Sequence, residues 1–492
     1  MPTAQKAGTT SDLLPEGWEL IVGLEVHAEL LTATKMFSSA PNAFGSEPNT
    51  NIDPTTLGLP GSLPVLNRKA VELAIKLGLA LHCSVEPSVF ARKNYFYPDM
   101  PKDFQISQYD KPINVDGWLE LPDGTRIGVE RAHLEEDTGK STHVGGSGRI
   151  QGADHSLVDY NRAGVPLLEV VSRPDIRTAE QARAYASELR AILIATEVSD
   201  GKMEEGSMRV DANVSVHRVG EPFGTRCEIK NLNSLRSLGR AIEYEARRQY
   251  DLIADGGVVR QETRHWDDGT GRTSTMRVKE EADDYRYFSE PDLVPLAPDD
   301  AWIAEICSSL PPLPAERRAR LAEVTGADKA SDAVVVVVER DLDVLVLAAA
   351  DAGADPARAL VHAEQNLTAE TGAALESARF ARLVAMETGG ELTATQAKSV
   401  LVEMADVGGD PDAIAAAKGF EAMGDDALEQ AVGEAIAANP DAWAKYTAAV
   451  AAGDEKAARK VSGAFVGPVM KATKGNANGG AVMELLARKA AP

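Results

Sequence analysis

The feature that most constrains the fold is a change of composition near residue 297 of the 492-residue chain. Nineteen of the twenty-five aromatic residues and seven of the eight histidines precede it, whereas Ala, Val, Glu and Asp dominate the remainder. The boundary segment SEPDLVPLAPDD contains Pro291, Pro295 and Pro298, which interrupt regular structure. Because a chain of this length exceeds one ordinary domain, the change predicts a boundary between folding units.

The two sides of this boundary differ in periodicity. Before it, alternating and helical patterns are interleaved, and the clearest helix start is Thr178–Gln181, a capping-box pattern that leads into an apolar stripe. After it, helical patterns are separated by GADP, TGGE and VGGDPD. The run VVVVV at 334–338 fits either a short strand or a buried helical turn. The expected class is α+β, with a mixed sheet-and-helix region followed by helices.

Composition excludes several classes of protein. No run of about 18 apolar residues is present to span a bilayer, and the N-terminal MPTAQKAGTTSDLLPEGWEL lacks the apolar core of a signal peptide. Cys83, Cys227 and Cys307 form no CxxC pair, so a reducing cytoplasm is expected and a cysteine zinc site is not. A formal net charge of −24 argues against a uniformly basic nucleic-acid binder, so any nucleic acid must meet a local basic patch.

Three segments before residue 297 have the pattern of strands with one polar face. In VGLEVHAEL every second residue is apolar, which leaves Glu25 and His27 on the other face. The same alternation in MRVDANVSV leaves Asp211 opposite its apolar side chains. RCEIKNLNS then puts Glu228 and Lys230 on one face of a neighbouring strand. Each of these strands therefore presents ionisable side chains on one face.

The segment HLEEDTGKSTH, residues 133–143, crowds Glu135, Glu136 and Asp137 into consecutive positions. Adjacent carboxylates repel, so water, basic partners or a metal ion must compensate them. Carboxylate oxygens with one imidazole suit Mg²⁺ or Mn²⁺ rather than structural zinc. A solvated polar face is the common state of any single such residue, and no sequence rule places the segments side by side. A divalent-cation site and an exposed face both remain open on spacing alone.

Two other polar segments invite a phosphate-binding interpretation. TGKST lacks the glycine that a P-loop requires five positions before Gly139, because Leu134 stands there. The segment DDGTGRTSTMRVKEEADDYRYF, residues 267–288, could cradle phosphates or form an ordinary polar hairpin. No Ser or Cys has the surroundings of a catalytic nucleophile, so no hydrolase site is predicted.

Longer strings resemble a known family. They are VGLEVHAEL, KMFSSAPNAFG, LGLPGSLPVLN, RKNYFYPDMPKDFQISQYD, HLEEDTGKSTH, DYNRAGVPLLEVVS, KMEEGSMRVDANVSV, EIKNLNS and DDYRYFSEPDLVP. They closely resemble GatB, one of the subunits of the bacterial tRNA-dependent amidotransferases. The final VGPVMKATKGNANGGAVMELLARK resembles the tail that this family shares with YqeY-like proteins. The resemblance runs from about residue 17 to the end of the chain.

The resemblance implies a cytoplasmic enzyme subunit that corrects misacylated tRNA with ATP and Mg²⁺. The side-chain carboxylate of Glu-tRNA(Gln) or Asp-tRNA(Asn) is phosphorylated by ATP, and ammonia then displaces the phosphate. The implied partners, in a heterotrimer, are the amidase GatA, which makes ammonia from glutamine, and the small third protein GatC. The implied architecture is a cradle domain with a kinase-type site over 1–297, an all-α domain over 298–412 and a small all-α, tRNA-binding tail over 413–492. The alternative is a non-catalytic tRNA-binding adaptor.

The resemblance also implies site residues. Positions that match divalent-cation ligands of the family, or their immediate neighbours, are His27, Glu136, Glu228, Glu25, Asp211, Glu169 and Glu135. Lys102 matches a lysine that faces Glu136 where the ammonia channel opens, the alternative being a surface lysine. The expected catalytic residues are Glu136, Lys102 and His27.

One departure from the family concerns zinc. Some members carry a zinc-binding Cys-x-x-Cys pair before LGxPGxLPVxN, and those positions here are Asp53 and Thr56. Zinc prefers thiolates, so no structural zinc is expected. Side-chain hydrogen bonds from Asp53 and Thr56 are expected to close the turn instead.

The tail carries a local basic patch. From Arg459 onward there are six basic residues and one acid, Glu484. Such a patch suits an RNA backbone, and a solvated helix face is the alternative. The expected tRNA-binding residues are Lys471, Lys474, Arg488 and Lys489.

Overall fold

The computed structural model describes residues 13–145, 152–278, 285–420, 425–473, 477 and 479–490. The chain divides into two compact units, Met1–Ala315 and Glu316–Pro492. The first mixes strands and helices, and the described residues of the second form helices only, which confirms the expected α+β class. The division falls after residue 297 because Ile306 still belongs to the core of the first unit.

Most strands of the first unit join one large sheet. In the described residues the strands are β1 Trp18–Glu29, β2 Ser84–Val85, β3 Val89–Asn94, β4 Phe104–Lys111, β5 Asn114–Glu120, β6 Arg126–Glu136, β7 Lys140–Val144, β8 His155–Asp159, β9 Pro166–Ser172, β10 Met208–Arg218, β11 Cys227–Leu232, β12 Glu262–Asp267, β13 Arg272–Val278 and β14 Phe288–Ser289. The sheet runs in the order β13-β12-β11-β10-β1-β9-β6-β4-β3-β14, with β5 beside β6 and β2 beside β5. β7 and β8 form a separate hairpin. Within the large sheet the parallel pair is β11 and β12.

The helices follow the strands in two groups. The first group comprises α1 Arg68–Ala80, α2 Ala179–Ala195, α3 Leu235–Ala254 and α4 Asp300–Ser308. The second comprises α5 Pro314–Thr325, α6 Asp332–Glu339, α7 Asp343–Asp351, α8 Pro356–Asn366, α9 Ala369–Ala373, α10 Ser377–Thr388, α11 Ala394–Val407, α12 Pro411–Ala417, α13 Asp425–Ala438, α14 Pro440–Ala451, α15 Glu455–Ala472 and α16 Gly479–Ala490. None of the helices in the described part of the chain combines the length and the apolar character that crossing a membrane requires.

Alternation along β1 and β10 is confirmed. The inward side chains of β1 from Val22 to Ala28 are fully buried, and so are Ala212 and Val214 of β10. These residues share one core with α1, α2 and α3, so the helices cover the apolar face of the sheet. The other face carries the polar side chains and remains available for a site.

The predicted start of α2 is confirmed, with one change in its cap. Thr178 accepts a hydrogen bond from the backbone N–H of Gln181 at 3.1 Å. The Gln181 side chain accepts from the N–H of Arg177 rather than from Thr178, so the reciprocal bond of a capping box moves back by one residue. The apolar stripe that follows is buried, with Tyr185 and Leu189 fully enclosed.

The described helices of the second unit enclose two separate cores. One is built from residues between Leu321 and Ala415, and the other from residues between Leu428 and Leu486. The ambiguous run VVVVV lies in α6, where Val334 and Val337 are fully buried. Helical spacing therefore brings two of its five valines into the deepest part of the core, and the strand alternative is wrong.

The contact between α1 and the sheet passes through Gly78. A Cβ atom at this position would overlap the side-chain amide of Asn114. That amide is itself fixed, because its nitrogen donates to the backbone oxygens of Ala74 and Ala132 at 3.0 and 3.2 Å. Asn114 has no exposed surface, so it cannot swing away.

Gly78→Ala should therefore destabilise the first unit by about 1–3 kcal/mol, the usual cost of overpacking. This is expected although alanine is the better helix former. The matched control is Gly463→Ala in α15, where nothing lies within 4 Å of a new Cβ. Thermal unfolding followed by calorimetry should show a lower midpoint for Gly78→Ala and an equal or higher one for Gly463→Ala. Equal midpoints in the two variants would contradict the close contact.

Candidate functional site

Strand register brings the polar side chains of distant segments into rows across the open face of the sheet. His27 of β1 pairs with Glu169 of β9, which in turn pairs with His133 of β6. Glu25 of β1 pairs with Asp211 of β10. Side chains that face each other in adjacent strands lie within contact distance. A continuous band of ionisable groups therefore crosses the central strands.

This band forms the floor of a cavity of about 720 Å³. Of the residues expected at the site, those that line it are Glu25, His27, Glu135, Glu169, Asp211 and Glu228. Asp137 brings the number of carboxylates to six, and the Lys and Arg side chains of the lining are Lys93, Arg131, Arg209 and Lys230. The cavity is therefore rich in charge of both signs, with an excess of acids.

Three of these side chains converge on one point. The Nε2 atom of His27 lies 3.5 Å from a carboxylate oxygen of Glu169 and 3.7 Å from one of Glu135. One ligand atom from each residue lies within 4.8 Å of the other two. His133 backs this group, because its Nε2 atom is 3.4 Å from the same oxygen of Glu169. We refer to His27, Glu135 and Glu169 as the triad.

Burial and mutual repulsion perturb the triad strongly. Burial, together with the charge of Glu169, raises the pKa of Glu135 to about 7. Burial alone would lower the pKa of His27, but the hydrogen bond and charge of Glu169 outweigh it and raise this pKa to about 9. Burial lowers the pKa of His133 to about 4, so its imidazole is neutral at physiological pH. The protonated ring of His27 therefore balances the acids of the triad.

A second group lies farther along the band and is balanced differently. The Nζ atom of Lys230 is 2.6 Å from Asp211 and 3.2 Å from Glu228. Glu228 also accepts from the hydroxyl of Thr263 at 2.8 Å. Glu25 accepts from the Asn213 amide at 2.8 Å. A lysine from the chain thus serves as the cation between the two carboxylates Asp211 and Glu228.

The donor set of the triad fits a divalent cation. Two carboxylates and one imidazole within a few ångströms match the oxygen-rich ligands of Mg²⁺ or Mn²⁺. The cation would bind the neutral imidazole of His27 and so take the place of its proton. The raised pKa of Glu135 reflects its burial and its repulsion by the charge of Glu169. A bound cation would remove that repulsion, whereas Asp211 and Glu228 already share Lys230.

Glu136 and Lys102 are not among the residues that line the cavity. Successive side chains of a strand point to opposite faces, so Glu136 points away from Glu135. Its Oε1 atom accepts from the Nζ of Lys102 at 2.5 Å and from the backbone N–H of Ile106 at 3.0 Å. Both side chains are almost fully enclosed, at 3% exposed for Glu136 and 8% for Lys102. The structure therefore places them as a buried ion pair on the reverse side of β6.

The crowded acids of residues 135–137 are thus compensated in three separate ways. Glu135 faces His27, Glu136 faces Lys102, and Asp137 accepts from Arg209 at 2.5 Å. The exposed-face alternative is wrong for this segment, because all three residues are buried. Lysine and arginine side chains neutralise Glu136 and Asp137, whereas Glu135 lies in the candidate cation site.

Comparison with known proteins identifies the family. Residues 20–304 match the model of the GatB/GatE catalytic domain, and residues 358–489 match that of the GatB domain. The B subunit of the aspartyl/glutamyl-tRNA(Asn/Gln) amidotransferase of Corynebacterium glutamicum (strain R) is 50% identical, over 98% of each chain. The same subunit of Nocardia farcinica (strain IFM 10152) is 50% identical, over 95% of each chain. The chain belongs to the GatB family.

Three parts of this GatB site were missed by sequence reasoning. His133 shares the face of Glu135 two positions earlier in β6, so the strand period alone would have found it. Lys93 reaches the cavity from β3. Four tyrosines, Tyr95, Tyr109, Tyr285 and Tyr287, also line it. The lysine and the tyrosines come from three segments with no alternation pattern that points to a shared face.

The polar segment 267–288 begins as an ordinary hairpin in this GatB chain. β12 and β13 pair antiparallel, with Trp266 opposite Thr273. Residues 279–284 lie outside the described residues. Met276 of β13 lines the cavity, as does Tyr285 beyond the gap. The hairpin alternative is thus confirmed for residues 267–278, whose outer end also reaches the site.

The turn at Asp53 and Thr56 is closed as expected. A side-chain oxygen of Asp53 accepts from the backbone N–H of Thr56 at 2.7 Å. The Thr56 hydroxyl lies 3.4 Å from that of Ser38. Side-chain hydrogen bonds therefore close this turn, as the sequence predicts.

The basic residues of the tail lie on its last two helices. Lys471 is exposed at the end of α15, and Arg488 and Lys489 are exposed near the end of α16. Arg488 donates to Glu429 at 2.6 Å. Lys474 lies outside the described residues. Lys471 and Lys489 remain directed to solvent.

Magnesium should stabilise the first unit through the triad. At a concentration 100-fold above the dissociation constant, binding to the folded state alone contributes about 2.7 kcal/mol. Glu135→Gln should abolish most of the rise in the unfolding midpoint. The control Glu130→Gln changes an exposed residue of the same strand and should retain the full rise. The unfolding midpoint is measured by calorimetry with and without Mg²⁺. An equal rise in both variants would exclude the triad as the site of metal binding.

Proposed function

We propose that this chain phosphorylates the side-chain carboxylate of misacylated Glu-tRNA(Gln) or Asp-tRNA(Asn) with ATP and then transfers ammonia to the acyl phosphate. The family supports a tRNA-dependent amidotransferase, since relatives that match over their full length carry that name. The single observation that carries the catalytic proposal is the intact, buried triad of His27, Glu135 and Glu169 beside cationic side chains. We place this activity in the cytoplasm, where aminoacyl-tRNA is used.

The chemistry needs positioned charge more than a nucleophile from the protein. A carboxylate oxygen of the substrate forms a bond to the γ-phosphorus of ATP, and the bond to ADP breaks. Ammonia then attacks the carbonyl carbon, phosphate leaves, and the nitrogen loses a proton. The cavity offers Lys93, Arg131 and Lys230 to hold phosphate oxygens. A divalent cation held by the triad would offset the negative charge of the phosphates during transfer.

The neighbours of the triad have separate positioning roles. His133, neutral and buried, stays within 3.4 Å of Glu169 and keeps that carboxylate turned toward His27. Lys230 holds Asp211 and Glu228 in place at 2.6 and 3.2 Å. Both arrangements fix charged groups before substrate arrives, which lowers the reorganisation needed in the transition state.

We assign the Lys102–Glu136 pair to the arrival of ammonia rather than to phosphate transfer. The pair lies on the reverse side of β6 from Glu135 and has little exposed surface. A lysine side chain can rotate away from its partner and open a path past a strand. This role requires a source of ammonia, which we propose to be an amidase joined to this chain through a small third protein.

The non-catalytic adaptor is the rival function. An adaptor has no need to keep two repelling carboxylates and an imidazole buried together, because such groups cost stability unless they are compensated. Here the triad, Asp211 and Glu228 are all retained with ordered partners. The two functions differ in one respect that can be measured, which is ATP consumption that depends on misacylated tRNA.

The decisive experiment supplies ammonia directly. The full-length chain, bound to an amidase partner whose glutaminase activity has been abolished, is incubated with ATP, Mg²⁺, ammonium chloride and Glu-tRNA(Gln). We expect Gln-tRNA(Gln) and ADP in equal amounts, because ammonia needs only deprotonation to attack an acyl phosphate. Glutamine should replace ammonium only when the amidase partner is active.

His27→Gln provides the matched loss of function. It should slow ADP release by at least about 10- to 100-fold, as expected for removal of a metal-site residue. Binding of tRNA should remain, because the change is confined to the cavity. Wild-type chain that binds Glu-tRNA(Gln) without releasing ADP would establish the adaptor instead.

We propose that the tail contributes an electrostatic contact to tRNA. The exposed Lys471 and Lys489 can pair with phosphates, whereas Arg488 already pairs with Glu429. A phosphate contact releases counterions, so it makes binding depend on salt. The tail would then add affinity without reading the sequence of the tRNA.

The double change Lys471→Gln and Lys489→Gln should weaken tRNA binding and reduce the slope of log Kd against log salt by about 1 for each lost contact. Lys69→Gln, which removes an exposed lysine of α1, is the control and should leave the slope unchanged. Fluorescence anisotropy at four salt concentrations measures both quantities. An unchanged slope in the double variant would exclude the tail from the tRNA interface.

A further inference from the structure

One part of the cavity lining is aromatic, and the chemistry proposed above does not use it. Tyr95, Tyr109, Tyr285 and Tyr287 all line the cavity that contains the triad. They come from β4, from the turn after β3 and from the segment before β14. We refer to these four tyrosines as the aromatic wall. Ammonia and a transferred phosphoryl group have no need of aromatic rings, so the wall calls for another ligand.

Two rings of the wall lie in parallel planes, and a third stacks on a neighbouring tyrosine. Tyr109 and Tyr287 stack with centroids 4.4 Å apart and an interplanar angle of 12°. Tyr95 stacks on Tyr97 at 4.5 Å and 29°. Tyr285 meets Tyr287 edge to face at 6.1 Å. Parallel pairs leave their outer faces directed away from each other, which is the geometry that accepts a further flat ring.

Part of the wall reaches the surface. Tyr109 is 40% exposed, and beside the wall Tyr97 is 40% exposed and Phe96 64% exposed. Cations stand beside the rings, with the Nζ of Lys93 4.8 Å from the centroid of Tyr285 and the guanidinium of Arg286 5.6 Å from that of Phe96. Exposed aromatic rings interleaved with basic side chains are characteristic of surfaces that bind nucleotides or single-stranded nucleic acid.

The wall is held in place at a cost in backbone strain. Arg286 has a φ of +46°, in the left-handed region that a long side chain rarely adopts. The Asn94 amide donates to the backbone oxygens of Tyr285 and Arg286 at 2.8 and 2.9 Å. Arg92 donates to both carboxylate oxygens of Glu290, which follows β14. Strain that the surroundings maintain in this way is typical of ligand sites.

We propose that the aromatic wall stacks a purine base. The ligand class is a purine nucleotide, because a flat base fits the open ring faces while its phosphates fit the adjacent cations. The inference rests on the proposed function, which supplies two sources of adenine: ATP and the 3′-terminal adenosine of tRNA. Stacking of either base on the wall would place the reacting group of the same molecule, the phosphates of ATP or the aminoacyl group of tRNA, in the cavity that contains the triad.

The first test compares the binding of tRNA that has its 3′-terminal adenosine with the binding of tRNA that lacks it. Binding of uncharged tRNA(Gln) to the assembled amidotransferase is measured with an intact 3′ end and with the terminal adenosine removed. Stacking of one base is worth about 1–3 kcal/mol, so the intact tRNA should bind the wild type about 5- to 150-fold more tightly if it is the source. Tyr109→Leu should bring this ratio close to 1, whereas Tyr109→Phe, which keeps the ring, should preserve it.

A second arm examines ATP. If the wall takes the base of ATP, Tyr109→Leu should raise the KM for ATP by a similar factor, and the tRNA ratio should stay constant. Phe288→Leu is the matched control, since it changes an exposed aromatic residue of the same segment that does not line the cavity. It should alter neither the tRNA ratio nor the KM for ATP.

Tyr287→Leu repeats both arms on the ring that stacks on Tyr109 and also lines the cavity, so a folding defect in one variant does not decide the result. A change in either arm supports the stacking site and identifies its source. If neither Tyr109→Leu nor Tyr287→Leu alters the tRNA ratio or the KM for ATP, the inference is overturned. A different result would contradict the proposed function, namely that the wild-type protein forms no Gln-tRNA(Gln) from Glu-tRNA(Gln), ATP and ammonium.

Discussion

The site depends on one constraint, the register between β1 and its two neighbours. β1 pairs with β10 from Trp18 to Ala28 and with β9 from Glu25 to Glu29. Because side chains alternate between faces, a slip of one residue would bury the acids and expose the apolar residues. The apolar face of β1 is buried beneath three helices, which makes such a slip very costly. The hydrophobic core thus fixes where the charged groups of the site can lie.

The same face shows how a protein keeps many carboxylates close together. Each acid has its own means of compensation: an imidazole for Glu135, a buried lysine for Glu136, an arginine for Asp137 and a shared lysine for Asp211 and Glu228. The pKa of Glu135 is nevertheless raised to about 7, mainly by burial. Burial therefore favours the neutral form of Glu135, and added positive charge beside it would favour the carboxylate.

Local patterns were enough to predict which residues share a face, but not which faces meet. The alternation in β1 and β10 and the start of α2 are governed by neighbouring residues, so they were predictable. The position of β9 between β1 and β6 depends on its pairing with β1, which lies more than 100 residues earlier in the chain, and no local pattern encodes that pairing. Glu135 and Glu136 were grouped by resemblance, whereas the two-residue period of β6 separates them. The aromatic wall was not predictable because its members come from three segments that are distant in the sequence.

The pairing of β1 also has a consequence for the nascent chain. β1 leaves the ribosome early, but β10, its longer partner, is complete only about 190 residues later. At usual rates of synthesis this delay is on the order of 10–40 s. During that time the strand exposes unpaired backbone groups and alternating apolar side chains, which invite pairing with another copy. Glu25 and Glu29 on its polar face would repel a second copy paired in register, so Glu25, which later lines the cavity, would also oppose aggregation of the nascent strand.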